Sequence, residues 1–238
     1  MIVVVAALGA LLLAESAFAA GPVPPVSLNI GTSSSRNLSG LPAQQIAAQA
    51  GNITQVNITA LTITKSWQGY YGNVSGAIVL QNANNNTFYN WSLTSTAGEI
   101  YATRTTSVNF ATVNCTAAAN LTTEETFLGQ VAADADSVSN TFKKPTSHPT
   151  FSVGSVSVGN GSCYATNAFD NTGAQTTDFF QVLLSDASGA GNIVYTTLMN
   201  GSKTGFNNQA WDFELLVGQN GHAGGPSTTT YYFYVELG

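Results

Sequence analysis

Asp212 and Glu214 are the carboxylates whose spacing comes closest to acid–base chemistry, because they alternate with apolar residues in the segment WDFELLV. On a strand, this alternation puts both acids on one face. A glycoside hydrolase needs two carboxyl groups that face each other across a cleft, and the sequence does not place these two so. We therefore expect them on a plain, solvent-facing strand surface.

The two histidines, His148 and His222, stand in a proline-flanked and a glycine-rich segment respectively. Neither lies in an H-E-x-x-H metal motif or a G-x-S-x-G nucleophile motif. We expect both to be exposed loop residues, and the sequence predicts no catalytic residue.

Two further motifs match ligand-binding loops only in part. Gly189-Ala190-Gly191 begins like a dinucleotide fingerprint, but Val194 stands where the third glycine belongs and a strand follows where a helix is required. Asp134 and Asp136 offer carboxylate oxygens, yet the glycine and the terminal glutamate of an EF-hand loop are missing. We expect a hairpin turn and a solvated loop, with no metal and no cofactor.

Cys115 and Cys163 are the two cysteines of the chain. An exported protein folds where disulfides form, so we expect these two to pair; the alternative is two buried free thiols. A zinc site would need more Cys or His ligands, and the chain has two histidines.

Charged residues make up 8% of the chain, and the formal net charge is -6, whereas soluble domains average about 25% charged residues. Six Lys and Arg in total cannot form the basic surface that binds phosphates or anionic lipid headgroups. We expect no nucleic-acid partner, and membrane contact only through the N-terminus.

Residues 1–20, MIVVVAALGALLLAESAFAA, form the one strongly hydrophobic run. It fits a secretory signal peptide, with Ala17-Phe18-Ala19 as the cleavage pattern, although no Lys or Arg precedes it. It equally fits a retained helix of about 30 Å, which crosses the membrane transiently and then packs in a filament core. In that form it resembles the N-terminal helix of archaeal type IV pilins. The assembly residues would then be Met1, Ile2, Val3, Val4, Val5, Leu8, Leu11, Leu12 and Leu13.

Residues 21–35 form a spacer rich in proline and serine. The segment GPVPP ends any helix, because proline fixes φ and lacks an N–H donor. Residues 26–30 then alternate apolar and polar as a strand does. They are a candidate donor strand for the open sheet edge of a neighbouring subunit, through Val26, Leu28 and Ile30.

Ten asparagines head an N-x-S/T sequon, where chance gives roughly five. Eight of them fall between residues 37 and 120, which indicates a large free surface there because a glycan needs an exposed site. Covalent N-linked glycans would provide the hydration that the missing charges do not. The acceptors are Asn37, Asn52, Asn57, Asn73, Asn85, Asn90, Asn114, Asn120, Asn160 and Asn200.

Residues 36–238 read as one glycosylated β domain. A period of two predicts strands at 56–64, 75–82, 87–95, 99–110, 151–158, 179–185, 193–199, 211–217 and 228–237. Short helices are predicted at 42–50 and at 123–133, the latter from the capping-box spacing of Thr122 and Glu125. The pattern predicts a mainly β fold: an antiparallel β-sandwich or jelly-roll-like domain preceded by an N-terminal hydrophobic helix.

Aromatic residues gather in three clusters, at 67–71, 88–91 and 231–234. Exposed rings stack on sugars, whereas buried rings fill a core or an interface. We expect the core or interface role and keep sugar binding as the alternative.

Several stretches resemble uncharacterised archaeal surface proteins: WQGYYGNVSGAIVLQN, TFYNWSL, GEIYATR, DSVSNTF, HPTF, FFQVLLSD, IVYTTLMN and TTTYYFYVELG. Together they span most of residues 60–238. The resemblance implies an archaeal, extracellular or cell-surface context and no established activity, so it transfers no functional residue.

These observations favour a non-catalytic structural subunit of an extracellular filament, a helical homopolymer held together through its N-terminal segment. Open contacts between identical subunits generate such polymers. The alternative is a monomeric or anchored surface glycoprotein that binds carbohydrate or a neighbouring cell, as an adhesin does. An enzyme acting on extracellular polymers is the third and least favoured hypothesis.

Overall fold

The computed structural model describes residues 21–36, 38, 41–93, 96–144, 147–186, 192–221, 224 and 228–238. Strand makes up 35% and helix 9% of the structure, which confirms a mainly β fold with antiparallel pairing. The predicted N-terminal helix lies outside the described residues. In chain order the elements are β1 (Trp67–Gly72), β2 (Ala77–Gln81), β3 (Thr87–Ser92), β4 (Gly98–Thr103), β5 (Asn114–Cys115), α1 (Ala118–Leu128), α2 (Val138–Thr141), β6 (Phe151–Val153), β7 (Val156–Val158), β8 (Ala165–Phe169), β9 (Gln175–Ser185), β10 (Ile193–Leu198), β11 (Lys203–Thr204), β12 (Ala210–Trp211), β13 (Phe213–Gly218) and β14 (Tyr232–Leu237).

A six-stranded antiparallel sheet forms the centre of the domain. Its order is β14-β4-β10-β9, and both β5 and β8 pair along the far side of β9. Every residue of the central strand β10 is buried, so its sequence IVYTTL lacks the polar alternation of a strand with one wet face.

One face of this sheet is covered by α1, α2 and the ribbon of β1 with β13. Tyr195 from β10 packs here with Leu128 of α1 and Val217 of β13. The other face is covered by the hairpin of β6 and β7, where Val153 and Val158 pack on Tyr101 of β4. The two cores lie on opposite sides of one sheet, since consecutive strand residues point to opposite faces.

A disulfide joins Cys115 at the end of β5 to Cys163, just before β8, with Cα atoms 4.8 Å apart. The predicted pairing is therefore confirmed. Because β5 and β8 both border β9, the bridge fastens two adjacent pieces of the sheet edge.

Replacing both cysteines by serine is expected to lower the free energy of unfolding by about 4 kcal/mol, because the bridge closes a loop of 48 residues. In a domain of this size that corresponds to a loss of roughly 10 °C in Tm. Differential scanning calorimetry measures it, and the wild type treated with dithiothreitol is the matched control. An unchanged Tm in both samples would contradict the prediction.

The helical predictions were partly wrong. The helix expected at 123–133 begins earlier, as α1, and its N-cap Ala117 supplies no side-chain cap. Thr122 instead bonds back to the carbonyl of Ala118, and Glu125 accepts the N–H of Ser139 at 2.8 Å. The helix ends as C-cap rules predict, at Gly129 with φ 68°. Residues 42–50 form no helix.

Four predicted extended segments differ in outcome. Residues 75–82 and 87–95 do contain strands, β2 and β3. Residues 26–30 and 56–64 belong to no strand within this chain, although both carry strand-like patterns. A period of two shows that a segment can be a strand, but the strand also needs a partner edge.

Candidate assembly surface

Asp212 and Glu214 are buried, so the prediction of a solvent-facing surface was wrong. Asp212 accepts the backbone N–H groups of Val74 and Ser202 at 2.8 and 2.9 Å, and Glu214 accepts that of Phe206 at 2.9 Å. Burial raises the pKa of Glu214. Two loops fold over this strand face, and their backbone N–H groups donate to the two carboxylates. The local sequence pattern did not indicate this.

His148 is also buried rather than exposed. Its Nε2 accepts the N–H of Cys163 at 3.1 Å, and its ring lies against Phe151. The histidine therefore supports the segment that carries the disulfide. His222 and the Gly189-Ala190-Gly191 motif lie outside the described residues.

Asp134 and Asp136 lie in turns, as expected, but both are engaged in hydrogen bonds. Asp134 accepts the N–H of Val131 at 2.9 Å, and Asp136 accepts the hydroxyl of Thr64 at 2.5 Å. Across the residues that the structure describes, no group of three or more His, Cys, Asp or Glu side chains is placed to hold a metal ion.

The structure adds an acid pair that sequence reasoning missed. Glu99 of β4 lies directly opposite Glu236 of β14 in the ladder, and both are buried. Glu236 accepts the N–H of Gly154 at 2.9 Å and the hydroxyl of Tyr101 at 3.0 Å. Glu236 thus fastens the β6–β7 turn onto the sheet. Burial, and then repulsion by Glu236, raises the pKa of Glu99 to about 8.

Nine of the ten sequon asparagines are described, and Asn37 is not. Two of the nine, Asn120 and Asn200, are half-buried. The other seven are exposed: Asn52, Asn57, Asn73, Asn85, Asn90, Asn114 and Asn160. Five of these seven lie before residue 91, in segments that surround the central sheet rather than form it.

One end of the domain releases a long exposed arm, which we define as residues 26–64. Every described residue of the arm is exposed except Leu38, which is half-buried. Among the described residues, its large exposed apolar side chains pack in neither core. They are Val26, Leu28, Ile30, Leu41, Ile46, Ile53, Val56, Ile58, Leu61 and Ile63.

Both ends of the arm are fixed at the same end of the domain. Val23 pairs with Val235 in an antiparallel bridge, by hydrogen bonds of 3.0 and 2.8 Å, so the following residues run toward the Tyr232 end of β14. That end lies beside Gly218, whose carbonyl accepts the Tyr231 hydroxyl at 2.7 Å. Gly218 in turn pairs with Trp67, three residues after the arm ends. We call this the Trp67 end of the domain.

The opposite end releases the hairpin of β2 and β3. It emerges after Gly72, at the far end of β1, which is about 17 Å from Trp67 for a strand of this length. Its root is fixed where Gly76 packs against Leu237, the last residue of β14. We call this the Gly72 end.

All described side chains from Ala77 to Trp91 are exposed, and neither β2 nor β3 packs substantially on another element. Cross-strand pairing joins Ile78 to Trp91 and Leu80 to Tyr89, so these four side chains share one face, the apolar face of the hairpin. The rings of Tyr89 and Trp91 are 4.7 Å apart. The expectation that aromatic residues 88–91 fill a core is therefore not met within one chain.

The first aromatic cluster is divided. Trp67 is half-buried and donates its indole N–H to the carbonyl of Asp136 at 2.7 Å. Tyr71 is exposed, and its ring lies about 5 Å from those of Phe206 and Trp211. This aromatic cluster is a small surface platform, whereas Trp67 supports the fold.

No family model, curated protein or solved structure matches the chain. None of the helices in the described part of the chain is long and apolar enough to cross a membrane.

Proposed function

We propose that the chain is a non-catalytic structural subunit of an extracellular, N-glycosylated filament, with its β domain as a sandwich-like body and its N-terminal segment as the connecting element. One observation carries the proposal: an apolar arm leaves the Trp67 end and an apolar hairpin leaves the Gly72 end, and neither packs on a core formed by the residues that the structure describes. Exposed apolar side chains that gather in a patch mark interaction sites. Complementary elements at opposite ends lead to head-to-tail contacts, which propagate as an open polymer.

The proposal has two candidates for the connecting element. Either residues 1–20 pack together as a helical core, or residues 26–30 add as a strand to the sheet of a neighbouring subunit. The bridge between Val23 and Val235 supports the second, because it fixes the spacer to an edge strand and leaves Val26, Leu28 and Ile30 exposed just beyond it. The disulfide and the exposed sequons support an extracellular or cell-surface location.

Cryo-electron microscopy of the native protein from cell-surface material, together with its intact mass, tests the proposal. We expect filaments with a helical repeat and a mass above that of the polypeptide because of attached glycans. A monodisperse monomer that lacks residues 1–19 at all concentrations would contradict it.

The second candidate function, carbohydrate or cell adhesion, is favoured by the exposed cluster of Tyr71, Phe206 and Trp211, since exposed rings stack on sugars. Tyr71→Ala and Phe206→Ala are expected to abolish binding on a glycan array if the protein is an adhesin. Phe169→Ala removes an exposed ring elsewhere and is the matched control.

A further inference from the structure

The hairpin of β2 and β3 is an incomplete sheet. A two-stranded hairpin alone is marginally stable in water, and a third strand or a packed helix is needed to support it. Within the described residues it has neither, yet it presents Tyr89 and Trp91 at 55% and 48% exposure. A third strand would stabilise it.

The arm contains a segment suited to be that strand. Residues 55–60, QVNITA, alternate polar and apolar without interruption, and Ile58 is 84% exposed. β-branched residues are enriched in strands. The segment lies in no strand of its own chain, although its pattern has the period of two.

We infer that residues 55–60 of one subunit add as a third strand to the β2–β3 hairpin of the next subunit. This inference rests on the proposed filament and assigns its contact to residues 55–60 rather than to residues 1–20 or 26–30. The arm returns to its own domain at Thr64, which donates its hydroxyl to Asp136 at the Trp67 end. The hairpin leaves from the Gly72 end, so the donor of one copy meets the acceptor of another when copies stack head to tail.

Glycan positions agree with this pairing. Asn57 points away from Val56 and Ile58 on a strand, and Asn90 points away from Tyr89 and Trp91. A three-stranded sheet with the apolar sides aligned therefore carries both sequons on its other face. The glycans then stay in solvent on one face, while Val56 and Ile58 lie beside the apolar side chains of the hairpin on the other.

The charge pattern also fits a second copy. No charged residue lies between Arg36 and Lys65 or between Lys65 and Glu99, so the contact buries no ion. In strand addition, main-chain hydrogen bonds provide the affinity and the side chains beside them provide the specificity.

One donor-defective variant and two acceptor-defective variants test the inference in the full chain. Proline has no N–H to donate to a β-ladder. The double variant Gln55→Pro/Val56→Pro therefore removes a hydrogen bond to the hairpin whichever of the two residues faces it. Leu80→Asp puts a charge on the apolar face of the hairpin, and Tyr89→Asp does so on its other strand. Each variant alone is expected to raise the concentration needed for filaments at least tenfold, as measured by light scattering. Because all these positions are exposed, the Tm should stay that of the wild type.

The decisive measurement is mixing the donor-defective and the acceptor-defective variants. Each keeps the element that the other lacks, so we expect a 1:1 dimer by mass photometry and no longer species. The matched controls are Ala47→Pro/Ala48→Pro, elsewhere in the arm, and Val79→Asp, on the opposite face of the hairpin; both should polymerise like the wild type.

Other results overturn the inference. If the defective variants form normal filaments, the contact is wrong and the filament proposal stands on residues 1–20 or 26–30. If the native wild type is monomeric and amide exchange shows residues 55–60 protected, the segment pairs within its own chain, and both proposals fail.

Discussion

The free energy of unfolding is expected to fall as the pH rises from about 4.5 to 8, and Glu99→Gln is expected to remove much of that slope. Glu99 is 8% exposed, and burial together with repulsion by Glu236 raises its pKa from 4.5 to about 8. The folded protein therefore holds a proton on Glu99 that the unfolded chain releases above pH 4.5. The stability this proton gives is complete below pH 4.5 and is lost as the pH passes 8.

The effect reaches about 1.4 kcal/mol per pH unit, and up to about 5 kcal/mol over the whole range. Burial also raises the pKa of Glu236 and of Glu214, so some slope of the same sign remains in the variant. Urea titrations at pH 5, 6, 7 and 8 measure how the free energy of unfolding changes with pH in the wild type and in Glu99→Gln. Gln is chosen because it mimics the protonated acid at every pH.

Asp170→Asn is the matched control for the pH series. Hydrogen bonds from Thr172 lower the pKa of Asp170, so its contribution is present above pH 3.8 and is lost only as the pH falls further. This variant should leave the slope above pH 5 unchanged. A flat wild-type profile, or an equal slope in Glu99→Gln, would show that Glu99 ionises normally in the folded protein.

Arg104→Met is expected to lower the free energy of unfolding by about 3–5 kcal/mol, because it leaves a buried carboxylate without its ion-pair partner. Glu124 of α1 is 0% exposed and pairs with Arg104 at the end of β4. The same carboxylate accepts the hydroxyl of the fully buried Tyr195 at 3.0 Å. Arg104 also stacks on Phe127, 3.5 Å from the ring centroid, so methionine is chosen to keep part of that packing.

Chemical denaturation at pH 7 measures the loss. The double variant Arg104→Met/Glu124→Gln should recover a large part of it, because no unpaired charge is then buried and Gln still accepts from Tyr195. Arg36→Met removes an exposed arginine of the arm and should change stability by less than about 0.5 kcal/mol. A double variant no more stable than Arg104→Met would mean that the lost stacking, rather than the stranded charge, accounts for the effect.

The contact between the arm and the hairpin and the stability of the domain depend on different residues. The acids and the ion pair lie in and beside the central sheet, whereas the arm and the hairpin are exposed and contribute little to the core. Variants of the first group should change Tm at any protein concentration. Those of the second group should change only assembly.

The sequence by itself determined the mainly β class, the segments that become β2, β3, β4, β9, β10, β13 and β14, the disulfide, and the clustering of sequons in the first half of the chain. These follow from local properties: the period of two, turn residues, and the presence of two cysteines. The missed strand β1 contains two glycines, Gln68 and two tyrosines that are more than a third exposed, so no apolar alternation identified it.

Only the tertiary structure decided which polar groups are buried and which strand-like segments are paired. Asp212 and Glu214 looked like surface residues because they alternate with apolar residues on a strand, and His148 because it lies in a proline-flanked segment. They accept backbone N–H groups from other segments, which lie between 8 and 138 residues away in the chain. Residues 56–64 and 75–82 were both predicted as strands, yet only residues 75–82 contain one. A strand exists only where a second edge completes its hydrogen bonds, and that edge is a property of the fold or, as we propose for residues 55–60, of the next subunit.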